Sequence, residues 1–254
     1  AKLIQFHDFD IFGTQEGFKS QLEQLKKDLP GYEYIGVARD DGKEAGEHSA
    51  IFYRTDLFDV VDHGDFWLSE TPDRPGLGWD AACVRICTWG RFRHKPSGKE
   101  FLFFNLHMDH VGTVARTESA KLIKKKIDDL GPELPVFLTG DFNVDQTSGS
   151  YKTITDGGVL TDAFERAKLV YATNGTFNNY LTNGYTTQRI DHVFTSPTVE
   201  VLKYGVLTDT YRTPTPASEA ADTNGTAPDE VGIVIYKART PSDHFPVRTT
   251  VVLP

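Results

Sequence analysis

The stretch PVFLTGDFNVD, residues 135–145, drives an apolar strand straight into Gly-Asp-Phe-Asn. A buried strand needs only a polar turn to end it. This one ends in two carboxylates flanking an amide, groups able to hold a cation, a water or a phosphate. Asp141, Asn143 and Asp145 match the opening D-x-N-x-D of a calcium loop. That loop requires Gly at its sixth position and Glu at its twelfth, where this chain has Gln146 and Lys152. The plainer reading is a strand-end turn in which Asp and Asn bond their own backbone.

Four other apolar runs also meet chemistry-bearing residues. DIFGTQE reads as a strand ending in Glu16, and FLFFNLH ends in His107, followed by Asp109 and His110. Asp191 interrupts RIDHVF, where a buried carboxylate needs a partner. Asp243 and His244 precede the last strand in PSDHFPV. Each has a bland alternative: Glu16 as a helix cap, His107 as a satisfied core histidine, Asp191 paired with Arg189, Asp243 as a turn residue. All of them holding together is much less expected than any one alone. Carboxylates and an amide suit a hard divalent cation such as Mg²⁺, and histidines move protons near neutral pH. No zinc pattern, Walker loop, G-x-S-x-G or G-x-G-x-x-G is present.

A chain of 254 residues, 39% hydrophobic and 25% charged, supports a sizeable core, and no fixed-period repeat divides it. The reading is one domain over residues 1–254. The longest apolar runs, such as Phe101–Phe104, are far too short to span a membrane. A net charge of -9 gives no long-range pull toward nucleic acid. Cys83 and Cys87, on one strand face roughly 13 Å apart, are too far apart to bridge and read as free thiols.

The chain opens on AKLIQF, inside a helical pattern with no N-cap, which predicts residues upstream. Helical spacing covers FKSQLEQLKKDLP and residues 113–130. YEYIGVAR, SAIFYR and FDVVDHGDFWLS read as consecutive strands, and CVRICTWGRFRHK with EFLFFNLH as a hairpin. TQRIDHVFTSP and VEVLKYGVLT read as a second pair, residues 208–230 as a long surface loop, and GIVIYKA and FPVRTTVVL as closing strands. Hairpin-rich strands with outer helices suggest two packed sheets.

The ordered set TQE, NLHMDH, GDFN, RIDHVF and SDH resembles the metal-dependent endonuclease/exonuclease/phosphatase superfamily, from Glu16 to His244. The resemblance implies a four-layer α/β sandwich with two central mixed sheets and metal-assisted hydrolysis of a phosphate ester. It further implies that Glu16 ligates Mg²⁺ (Mn²⁺ or Ca²⁺ as substitutes) and that Asp243 completes the metal-side acidic cluster. Asp141 would position or deprotonate the water, and Asn143 would bond that water or a phosphoryl oxygen. His107 would bind the phosphate, and Asp191 would orient His244, a base or electrostatic stabiliser. Family members carry a first strand with a metal-binding Asn. This chain begins after that point, so one sheet would lack its first strand.

His48, Arg85 and Asn178 fall where site-lining polar groups are expected, with a sheet-edge histidine, a surface cation and a turn asparagine as their alternatives. Trp79 and the two N-G-T stretches, at Asn174 and Asn224, read as core cover and turns. The acidic charge favours a small phosphate ester over long duplex nucleic acid. A non-catalytic binding domain on the same fold, and a sugar hydrolase with paired carboxylates, are the competing readings. The sequence leaves oligomeric state open, and the abrupt start leans toward an extracytoplasmic address.

Overall fold

The computed structural model describes residues 1–131, 133–215 and 236–254. Its elements run α1 (Lys2–His7), β1 (Ile11–Gly13), α2 (Lys19–Asp28), β2 (Tyr32–Ile35), β3 (Ile51–Arg54), β4 (Phe58–Trp67), β5 (Ile86–His94) and β6 (Glu100–His107). There follow α3 (Thr113–Leu130), β7 (Val136–Asp141), α4 (Gly149–Thr155), β8 (Thr161–Asp162), α5 (Ala163–Arg166) and β9 (Leu169–Tyr171). β10 (Asp191–Thr195), β11 (Glu200–Val206), β12 (Tyr211–Pro214), β13 (Tyr236–Arg239) and β14 (Val247–Val252) complete the chain.

The unbroken apolar run of β6 has a simple cause: the strand is buried on both faces. Leu102, Phe104 and Leu106 pack with Val136 and Leu138 of β7 against Ala120, Ile123 and Ile127 of α3. Phe101, Phe103 and Phe137 point the other way, onto Ile51 of β3 and the flanking Ile11, Ile35 and Val251. β6 and β7 therefore sit in the middle of a six-stranded mixed sheet, ordered β4-β5-β6-β7-β10-β8, whose one parallel pair is β6 with β7.

The second β layer consists of two three-stranded sheets, β1-β3-β2 and β14-β11-β9. Their edge strands β1 and β14 line a cleft of about 780 Å³, floored by Phe101, Phe103 and Phe137 of the six-stranded sheet. α2 covers the first half through Leu22 and Leu25, and α5 packs on the second beside Val201 and Tyr204. With α3 and α4 on the far face, the order is helices, sheet, split sheet, helices, the expected α/β sandwich.

Some local expectations change. β10 and β11 do not pair with each other: β10 joins β7 and β8, whereas β11 joins β14 and β9. A sharp change of direction after Thr195 hands the chain from one layer to the other, a long-range choice that local pattern does not encode. β1 ends at Gly13, before Glu16. β5 starts at Ile86, so Cys83 and Arg85 precede it and the two cysteines do not share a strand, although both are free. Within the expected loop, Tyr211–Pro214 forms a strand paired with β13. Residues 216–230, Asn224 and the first half of GIVIYKA lie outside the described residues.

Gly140 shows how tightly the site strand is seated. Its φ is 151°, and a Cβ there would lie 2.2 Å from the Leu106 carbonyl oxygen. Gly140→Ala is therefore expected to cost about 2–4 kcal/mol, read from urea unfolding; a variant within 0.5 kcal/mol of the parent would show that the β6–β7 contact yields freely.

Candidate functional site

Strand register builds the centre of the site. β6 and β7 are parallel with His107 opposite Asp141, and β7 and β10 are antiparallel with Asp191 opposite Asp141. Three neighbouring strands thus deliver an imidazole and two carboxylates in a row along one sheet edge. The fourth group comes from the other layer. His244 precedes β14, its Nδ1–H donates to Asp191 Oδ2 at 2.8 Å, and its Nε2 lies 3.8 Å from Asp141 Oδ2. On the opposite side His107 Nε2 is 3.3 Å from the same oxygen. Asp141 Oδ2 is bracketed by two imidazoles.

The charge states follow from this packing. Asp141 is nearly inaccessible; burial pushes its carboxyl well above the ordinary carboxylate range, and the charge of Asp191 adds to that rise. Burial opposes a charge on His244, but the hydrogen bond and charge of Asp191, with Asp141 and Asp243 behind it, outweigh that and raise it to about 9. His107 goes the other way: burial, then the charges of Arg85 and Arg39, hold it well below its ordinary range. His107 therefore offers a neutral ring N–H, while His244 carries the positive charge.

Asn143, at φ 51°, sits in the turn after β7. Its backbone N–H donates to Asp141 Oδ1 at 2.8 Å, and its Nδ2 donates to the Met108 carbonyl at 2.9 Å. The amide is thereby locked onto the residue that follows His107, with Oδ1 left to accept. Asn178 is 5% exposed; its backbone N–H donates to the Asp243 carbonyl, Tyr180 N–H and Thr240 Oγ1 donate to its Oδ1, and its buried Nδ2 has no partner. His48 is buried and uses both Nδ1 and its backbone N–H on the Gly17 carbonyl, which anchors the segment carrying Glu16. Arg85 bonds Asp109 and His110.

A divalent cation suits these donors. Asp141, Asp191 and His244 bring ligand atoms within 4.8 Å of one another, and with His244 charged and bonded to Asp191 the two carboxylates are the donors that suit a hard cation. Glu16 and Asp243 are not in that close group. Glu16 is exposed at φ 61°, and its carboxylate makes no hydrogen bond or ion pair among the described residues. Among the described residues, the Asp243 carboxylate accepts a hydrogen bond only from Ser242 Oγ, at 3.3 Å. Both are free to ligate.

Several supporting residues carry no local signal. Thr176 is fully buried; its Oγ1 accepts from the amides of Ile190 and Asp191, and its carbonyl accepts from Phe245 N–H, so one residue braces both Asp191 and His244. The N-G-T stretch marked only a turn there. Arg189 does not pair with Asp191; it pairs with buried Asp162 at 2.9 Å. His192 Nε2–H donates to the Val144 carbonyl at 2.9 Å, steadying the turn that holds Asn143.

Two measurements test this geometry. In Asp191→Asn the His244 titration midpoint, followed by imidazole NMR, is expected to fall from about 9 toward its ordinary 6.5; an unchanged midpoint would show that Asp191 does not hold the charge. Thr176→Val leaves two amides unpaired and is expected to cost about 2–4 kcal/mol in urea unfolding, a loss absent if those amides find other partners.

The model of the endonuclease/exonuclease/phosphatase family matches residues 1–244. A solved structure from Bacteroides thetaiotaomicron, described as a mannosyl-6-phosphatase, is 57% identical, with 99% of this chain and 88% of that chain covered and a TM-score of 0.91. An endonuclease/exonuclease/phosphatase from Bacteroides vulgatus is 38% identical over 100% of this chain and 88% of that one, with a TM-score of 0.83. Among curated proteins, an uncharacterised protein of Acanthamoeba polyphaga mimivirus is 31% identical over 151 residues, 56% of this chain and only 56% of the viral protein's length. With the family model spanning nearly all of the sequence, this chain belongs to the endonuclease/exonuclease/phosphatase family and is a phosphoesterase of that family.

Proposed function

We propose that the protein is a Mg²⁺-dependent phosphomonoesterase acting on a small phosphorylated sugar. The observation that carries the reading is Asp141 Oδ2 held between His107 Nε2 at 3.3 Å and His244 Nε2 at 3.8 Å, with Asp191 behind His244. The relative described as a mannosyl-6-phosphatase, at 57% identity, supports the choice of substrate. The net charge of -9 argues against long duplex substrates.

Glu16 and Asp243 would hold the cation, with Mn²⁺ or Ca²⁺ as substitutes. When bound, it polarises a phosphoryl oxygen and neutralises developing charge. Everything else falls to the chain. Asn143 Oδ1 orients the attacking water, and Asp141 Oδ2 takes its proton, a task suited to a carboxyl raised toward neutral pH. As the water oxygen bonds to phosphorus, the bond from phosphorus to the sugar oxygen breaks, that oxygen leaves as the alcohol with a proton from solvent, and negative charge grows on the equatorial oxygens on the way. The His244 imidazolium and the His107 N–H meet that charge, while Asp191 fixes which nitrogen of His244 faces the reaction. A binding domain would have no use for such a proton-handling pair, and family membership removes the sugar-hydrolase reading.

Hexose 6-phosphates assayed with Mg²⁺, with EDTA and with His244→Ala test this directly. Turnover is expected to vanish in EDTA, return with Mg²⁺, and fall by about 10³-fold in kcat in His244→Ala. Metal-independent turnover, or full activity without His244, would sink the mechanism. A dinucleotide cleaved in preference to every monoester would keep the mechanism and replace the substrate.

A further inference from the structure

Beside the reaction centre lies a second polar cluster built around a guanidinium. Asp109, 2% exposed, accepts at Oδ1 from the amides of Ala82, Val111 and Gly112, and at Oδ2 from the Cys83 amide and Arg85 Nε. Burial works against its charge, yet those amides hold its carboxyl well below the usual range. Four backbone dipoles thus satisfy Asp109, so its charge is only partly spent on Arg85.

Arg85, 5% exposed, also donates from Nη2 to His110 Nδ1 at 3.0 Å. A guanidinium only donates, so His110 accepts at Nδ1 and carries its ring proton on Nε2. Arg85 Nη1 has no hydrogen bond among the described residues. Cys83, Asp109 and His110 bring ligand atoms within 4.8 Å, as a metal site would, but Arg85 is bonded to two of the three and supplies the positive charge itself. β5 and β6 are antiparallel with Cys87 opposite Leu106, so Arg85, just ahead of β5, lies at the end of the sheet where His107 closes β6, and its charge acts on His107 there.

A phosphate diester carries one negative charge near neutral pH, whereas a monoester, with a second pKa near 6, carries close to two. The His244 imidazolium answers the first charge. A fixed, water-poor cation is what the second one needs, and a guanidinium pre-set by a buried carboxylate costs little to organise. We propose that Arg85, seated by Asp109 and flanked by the His110 Nε2–H, is the residue that selects the dianionic monoester over the monoanionic diester. This inference rests on the reading of the centre as a phosphoesterase site, not on the identity of the sugar.

The test compares a hexose 6-phosphate with its methyl diester in wild type, Arg85→Gln and Arg85→Lys. Arg85→Gln is expected to lose about 10²-fold in kcat/KM on the monoester and at least tenfold less on the diester, mostly through KM. Arg85→Lys, which keeps the charge without the fork, is expected to lose less on the monoester while still showing a split, and it decides the matter if Arg85→Gln does not fold. Equal losses on both esters would overturn the proposal. Calorimetric binding of inorganic phosphate without metal gives a readout independent of turnover. About tenfold weaker binding in the variant supports the assignment, and unchanged binding rejects it. Should wild type hydrolyse no monoester, the proposed substrate falls while the phosphate measurement still judges Arg85.

Discussion

Two carboxylates in cross-strand register, one buried and one half-buried, set the terms for the whole site. Asp141 faces Asp191 across β7 and β10, where its own burial and the charge of Asp191 both work against ionisation of Asp141. A fold that accepts this must supply compensating charge from elsewhere. It does so with His244 from the second layer and with a neutral His107 on the flank. Removing any one changes the charge of the rest, which is why these groups act as a unit.

Behind that row, the chain invests heavily in fixing positions. Thr176 braces Asp191 and the His244 segment together, and its neighbour Asn178 holds the Asp243 carbonyl. Asp162 gathers Arg189, Tyr151 and His192 in the interior, and His192 in turn holds the carbonyl that follows Asn143. Such buried polar networks add little net stability, but they penalise alternative arrangements strongly. The reacting groups therefore come from three strands and two turns yet share one rigid support.

Much of this was legible in the sequence, for identifiable reasons. Central strands buried on both faces leave continuous apolar runs, so β6 and β7 and their polar ends stood out, and with them His107, Asp141 and Asn143. Asp191 was conspicuous as a carboxylate inside an apolar run. What was not legible depends on distant partners. β10 and β11 look like a hairpin locally, and only the competition between β7 and β14 for partners separates them. Arg189 was offered as the partner of Asp191, but Asp162, 27 residues away in sequence, takes it. The role of Thr176 resides wholly in amides that it meets after folding.

The seam between the layers has a mechanical meaning. His107, Asp141 and Asp191 ride on one sheet, whereas His244 rides on the segment entering the other, and the two β layers are separated by a cleft of about 780 Å³ beside that seam. A slide of about 1 Å between layers would leave every strand intact and yet pull the imidazolium off its carboxylate, a displacement that can cost about 10²-fold in rate. Whatever occupies or stiffens that gap would therefore govern turnover without touching a single reacting group, much as a wedge sets the alignment of two plates.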